Sequence, residues 1–143
     1  MGRISVPTPT GDGLLVVETG PSCAHVEVRC ARLTGGHASS VLEHLARLAP
    51  GGSWRLVVSL ERCASVSLDA GRGLIELHER CERQGGKLVL CAVPSDGREI
   101  FKALGVDRKL HLARDRREGL RVLENARGSR RGLFARVFTR DAA

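Results

Sequence analysis

Residues able to do chemistry are few and scattered in this 143-residue chain. Its five cysteines (Cys23, Cys30, Cys63, Cys81 and Cys91) are odd in number and form no C-x-x-C pair. They read as reduced thiols of a cytoplasmic protein, most of them buried as small hydrophobes, and no spacing starts a metal site. His25, His44, His78 and His111 fall on strand or helix positions without a serine or cysteine nearby in sequence, and His37 reads as a solvated loop residue. The chain has no G-x-S-x-G elbow and no Walker A loop, and the Gly71-x-Gly73 pair lacks the third glycine of a dinucleotide fingerprint. Neither an enzyme nor a cofactor is expected. What remains is Ser65-Val66-Ser67-Leu68-Asp69, two hydroxyls and a carboxylate ahead of a helix. Side-chain oxygens there accept from the free amides of the first turn, so Ser67 or Asp69 is the expected cap.

The elements around that pentapeptide follow from hydrophobic period. Leu14 to Glu18 is a short apolar run that suits an edge strand. In Ala24 to Leu33, Val26, Val28 and Cys30 alternate with His25, Glu27 and Arg29, the pattern of a half-buried strand that weakens at Ala31. These two segments make an N-terminal hairpin. Ser40 to Glu43 has capping-box form, and Val41, Leu45 and Leu48 carry a helix to about Ala49, where Pro50-Gly51-Gly52 stops it. Trp54 to Leu60 reads as a strand buried on both faces.

Ala70, Leu74, Leu77 and Cys81 form one face of a second helix closed by Gly85-Gly86. Lys87 to Val93 is another buried strand, Ser95 caps a short third helix bearing Ile100, Phe101 and Leu104, and Lys109 to Ala113 alternates as a strand. Asp115 and Glu118 offer a capping pair for a last helix carrying Leu120 and Leu123. Alternation at these lengths predicts an α/β fold: an N-terminal hairpin, then right-handed crossovers in a mostly parallel mixed sheet with helices packed against it.

Charge is unevenly placed. Of the formal +7, residues 127–143 hold +4 (five arginines against Asp141), which leaves +3 on the first 126 residues. A nearly balanced body argues against a broad phosphate-binding face, and four aromatic residues without a tyrosine argue against stacking on single-stranded nucleic acid. No apolar run spans a bilayer, and the N-terminus lacks the apolar stretch of a secretory signal. The expected division is a flexible arm over 1–12, one domain over 13–125 and a basic tail over 126–143.

Three landmarks in order now carry a resemblance: Leu33-Thr34-Gly35, Gly85-Gly86-Lys87-Leu88-Val89-Leu90, and Ile100-Phe101-Lys102-Ala103-Leu104-Gly105-Val106. From Leu33 to Leu123 the chain resembles the STAS domain of bacterial anti-sigma factor antagonists, with Asp115 to Leu123 similar to its last helix. The resemblance implies a partner-switching regulator of transcription that binds a kinase-type anti-sigma factor and is not an enzyme. The family's signature, Asp-Ser-Ser-Gly-Leu, falls on Ser67-Leu68-Asp69-Ala70-Gly71, so the phosphoacceptor column holds Leu68; a two-residue shift puts Ala70 there. Where family members carry an aspartate beyond the loop glycine, this chain has Ala38.

A locked switch follows from that resemblance. Phosphate at a helix start would add about −1.5 to −2 charges and repel a partner, and leucine accepts none. Leu68 is then either a constitutive docking residue or a leucine turned inward to the core, and Ser67 or Ser65 is an alternative phosphosite. The partner-binding surface expected is Gly36, His37, Ala38, Ser65, Ser67, Leu68, Asp69, Gly71 and Arg72. The second reading is a structural STAS subunit of a larger lipid-transport or stress-signalling assembly. Direct nucleic-acid binding is not expected, and the sequence leaves monomer and weak dimer open.

Overall fold

Residues 8–9, 11, 13–20, 22–105 and 110–124 are described by a computed structural model of the chain. Its main sheet has six strands: β1 (Thr8–Pro9), β2 (Leu15–Thr19), β3 (Ala24–Val28), β5 (Arg55–Ser59), β7 (Lys87–Cys91) and β8 (His111–Ala113), in that spatial order. The pairs β1/β2 and β2/β3 are antiparallel, and β3/β5, β5/β7 and β7/β8 are parallel. The remaining elements are β4 (Arg32–Leu33), α1 (Gly35–Leu48), a 3-10 turn (Pro50–Gly52), β6 (Ser65–Val66), α2 (Leu68–Arg83), α3 (Ser95–Ala103) and α4, over residues 116–124. The expected α/β architecture is present.

Alternation along the central strands sorts side chains to two faces. Val26, Val28, Leu56, Val58, Leu88 and Leu90 join Val41, Leu45, Leu74, Leu77 and Phe101 in the larger core under α1, α2 and α3. On the other face Val57, Val89, Cys91 and Ala113 pack with Leu120 and Leu123 of α4. That helix sits close because its contact residue is Gly119, whose missing Cβ would lie 3.0 Å from Val57 Cγ1. The apolar stripe of the second helix, Ala70, Leu74, Leu77 and Cys81, is buried as its spacing predicts, and Gly85 closes the helix with φ +83°. Burial pushes the thiols up, Cys63 to about 12 and Cys81 and Cys91 to about 11, so they are packing groups rather than nucleophiles at neutral pH.

Four expectations need correction. β2 is not an edge strand, because Thr8–Pro9 of the expected flexible arm pairs outside it. The run from Ala24 to Leu33 is broken at Ala31, where the alternation weakens: β3 ends at Val28, and β4 joins a separate two-stranded sheet. Helix α1 starts at Gly35, not at a Ser40 capping box, since Ala38 lies three residues ahead of Val41 and extends the buried stripe one turn. Pro94, not Ser95, takes the cap position of α3; its extended backbone sets the entry and no side chain caps the helix. The Asp115 cap is made as expected, with Oδ1 accepting from Glu118 N–H at 2.9 Å. The basic tail over 126–143 lies outside the described residues.

β3 carries a further surprise. His25, placed by alternation on the polar side, is 6% exposed, and burial together with Arg116 lowers its pKa to about 4 against the opposing pull of Glu18 and Glu27. The unfolded chain therefore binds this proton more readily than the folded one between pH 6.5 and 4. His25 should cost on the order of 3 kcal/mol of stability as pH falls through that window; a His25→Leu variant should flatten the dependence in urea melts at pH 7, 5.5 and 4. At the start of the central strands β5 and β7, a Cβ on Gly86 would run into the Trp54 carbonyl that accepts from Lys87 N–H. Gly86→Ala is expected to lower stability by about 1–3 kcal/mol through overpacking, read as a drop in the denaturation midpoint.

Candidate functional site

β4 and β6 are only two residues each, yet they decide where the candidate site lies. Their parallel pairing sets Arg32 beside Ser65 and Leu33 beside Val66. Ala31 carbonyl accepts from Ala64 and Ser65 N–H at 2.7 and 3.2 Å, and Leu33 carbonyl accepts from Ser67 N–H at 3.0 Å. The start of α1 and the start of α2 are thereby held side by side.

Ser67 is the cap of α2. Its backbone is extended (φ −78°, ψ 162°), and its Oγ accepts from Ala70 N–H at 3.1 Å. Of the two caps expected, Ser67 fills the role; Asp69 lies exposed in the first turn, where its negative charge faces the positive end of the helix dipole. Leu68, the first helical residue, is 44% exposed, the one large hydrophobic among the described residues in that state. The inward-turned alternative for Leu68 is thus overturned, and Ala70, the other possible occupant of the acceptor column, is fully buried.

Around Leu68, Gly36, His37 and Arg72 are exposed and Ser65 is half-buried. His37 belongs to the first turn of α1 rather than to a loop. Ala38 and Gly71 are buried, contrary to their expected place on the contact surface. Gly71 faces Ile100 Cγ2, 3.0 Å from where its Cβ would be, so it lets α3 approach α2; Ala38 fills space under α1. The surface thus reduces to Gly36, His37, Ser65, Ser67, Leu68, Asp69 and Arg72. It is a small apolar point in a polar rim, suited to contact rather than to bond-making. Among the described residues no group of three or more His, Cys, Asp or Glu side chains is arranged to hold a metal ion.

Sequence reasoning missed a second polar cluster, around His25 on the α4 face of the sheet. Glu27 falls among the polar positions of its alternating strand and Glu18 ends an apolar run, and nothing in the sequence signals that both flank one histidine. Arg116, which completes the cluster, lies 98 residues from its partner Glu18.

Comparison with known proteins supplies the context. The STAS domain model matches residues 16–119. Among solved structures, an anti-sigma-factor antagonist (STAS) domain protein from Planctomyces limnophilus superposes with TM-score 0.66 at 13% identity, covering 77% of this chain and 97% of that one. A serine-to-glutamate variant of RsbS from Moorella thermoacetica gives 0.65 at 21% identity, with 78% and 95% covered. A chain from the stressosome, described as a signal integration and transduction hub, gives 0.58 at 20% identity over 76% and 96%. No curated protein matches the sequence.

Ser67→Ala should cost about 1 kcal/mol by leaving the Ala70 amide uncapped, whereas Leu68→Ala should change stability by less than about 0.5 kcal/mol because the side chain is largely in water. Paired chemical denaturation curves check both.

Proposed function

Because the chain belongs to the STAS domain family, we propose that it is an anti-sigma factor antagonist-like protein that regulates by binding another protein and carries no phospho-switch at position 68. The observation that supports this reading is the exposure of Leu68 at the head of α2. An apolar side chain held in water at a helix start, where a phosphate would otherwise sit over free amides, is a standing contact point. Its burial on docking gains apolar area, and leucine itself accepts no phosphate that would reverse it. Arg72 and His37 at the rim suit a partner with acidic groups around an apolar recess.

The partner proposed is a kinase-type anti-sigma factor or a related regulator in the cytoplasm; no helix among the described residues is long and apolar enough to cross a membrane. No catalytic step is assigned to the protein. The likeness to a stressosome chain favours one second reading, a subunit of a larger signalling assembly. Partners recovered from the native cell separate the two: a sigma regulator favours the first, and a stable multi-subunit particle the second.

Leu68→Asp is expected to weaken partner binding at least thirtyfold, about 2 kcal/mol, with the melting temperature unchanged; calorimetry on the recovered complex measures it, and unaltered affinity would refute the docking role. Incubation with anti-sigma kinases and ATP should leave residues 65–69 unlabelled by mass spectrometry. Stoichiometric phosphate on Ser65 or Ser67 would show that the switch has moved rather than gone.

A further inference from the structure

Helices α1 and α2 leave a groove between them. Leu42, Ala46 and Leu77 form its apolar lining, and Glu76 and Arg80 stand along it. Leu42 and Ala46 are only half-buried against the larger core, and the missing Cβ of Gly73 leaves the room in which Leu42 sits. The hollow measures about 160 Å³. An apolar cavity of about that size holds one benzene ring.

The described chain ends close to this groove. At the end of α4 the Leu123 carbonyl accepts from the Arg55 guanidinium. Arg55 follows Trp54, and the Arg80 guanidinium stands over the Trp54 ring, 5.8 Å from its centroid. A short series of contacts therefore joins the last described turn to one of the groove's own residues. Residues 125–143 follow, and they contain two of the chain's three phenylalanines, Phe134 and Phe138. With Leu133 and Val137 these are spaced so that a helix would carry all four on one side. The stretch 125–132 reaches up to about 27 Å when extended, close to the diameter of a small domain. That is enough to pass from α4 around the amino ends of β5 and β7 to α2.

Charge and size favour this occupant over a free one. Glu76 is exposed and has no ion-pair partner among the described residues, while Arg80, one turn on, is engaged with Trp54. Residues 127–143 bring five arginines against one aspartate. One ring and one ion pair are too little to hold a separate molecule, since stable interfaces bury about 800 Å² on each partner. A tethered segment needs far less, because its effective concentration is on the order of millimolar.

We propose that the groove between α1 and α2 is an intramolecular docking site for the chain's own C-terminal segment. The ring of Phe134 or Phe138 lies over Leu42, Ala46 and Leu77, and a neighbouring arginine pairs with Glu76.

Nuclear Overhauser spectra of the full-length protein, with phenylalanine ring protons and leucine methyl groups observed selectively, test this. The expected result is cross-peaks from Phe134 or Phe138 to the methyl groups of Leu42 and Leu77 that persist unchanged on dilution. A full-length Phe134→Ala/Phe138→Ala variant should lose them and move the Leu42 and Leu77 resonances. Glu76→Lys should move the same resonances part of the way, by weakening docking about threefold. Cross-peaks that fade on dilution assign the groove to a second copy and overturn the proposal. It is equally overturned if the rings contact Leu68 instead, or if the double variant leaves the Leu42 and Leu77 resonances where they are in the parent.

Discussion

Two strands of two residues each hold the candidate docking surface together. Without the pairing of Arg32–Leu33 with Ser65–Val66, the starts of α1 and α2 would be independent loops after neighbouring strands. With it, Ser67 N–H is fixed to the Leu33 carbonyl, the Ser67 side chain is turned to cap α2, and Leu68 is the next residue out. The exposure of Leu68 is therefore imposed from beneath: its backbone neighbours are committed on one side to β4 and on the other to the helix. Val66, buried against Gly97 of α3, anchors the same strand from inside. Such a surface is preorganised, and preorganisation reduces the ordering cost of association.

The legible and illegible parts of the fold divide along a physical line. Segments whose side chains repeat with one period were readable, because period reports burial directly. Ala70, Leu74, Leu77 and Cys81 fixed α2, and the unbroken apolar runs at Leu56 to Val58 and Leu88 to Leu90 marked strands covered on both sides. Boundaries set by tertiary contact were not readable. Nothing local says that α1 begins at Gly35 rather than Ser40, since Thr34 makes no side-chain cap and the first turn has no acidic residue. The break at Ala31 shows in sequence only as a weakened alternation, because its cause, the partner strand at Ser65, lies more than thirty residues on.

The candidate site was read with similar unevenness. The placing of the signature on Ser67 to Gly71 follows from the family resemblance rather than from local sequence, and helix chemistry narrows the cap to Ser67 or Asp69, between which the structure selects Ser67. Which of Leu68 and Ala70 faces water did not follow, since both readings of the helix start were consistent with leucine. The burial of Ala38 and Gly71 also escaped, because small residues give no period signal; Gly71 lets α3 approach α2, and Ala38 fills space under α1. The His25 cluster was hidden for a different reason: charged residues on strands look solvated until a distant helix delivers their counter-ion.

That counter-ion has a temporal meaning. Arg116 is synthesised 98 positions after Glu18, and their union closes a long loop. A nascent chain that has released β6 and α2 already contains every residue of the candidate docking surface, whereas the cluster around His25 waits for Arg116. The two features of this domain thus mature in sequence, with the outward-facing one first.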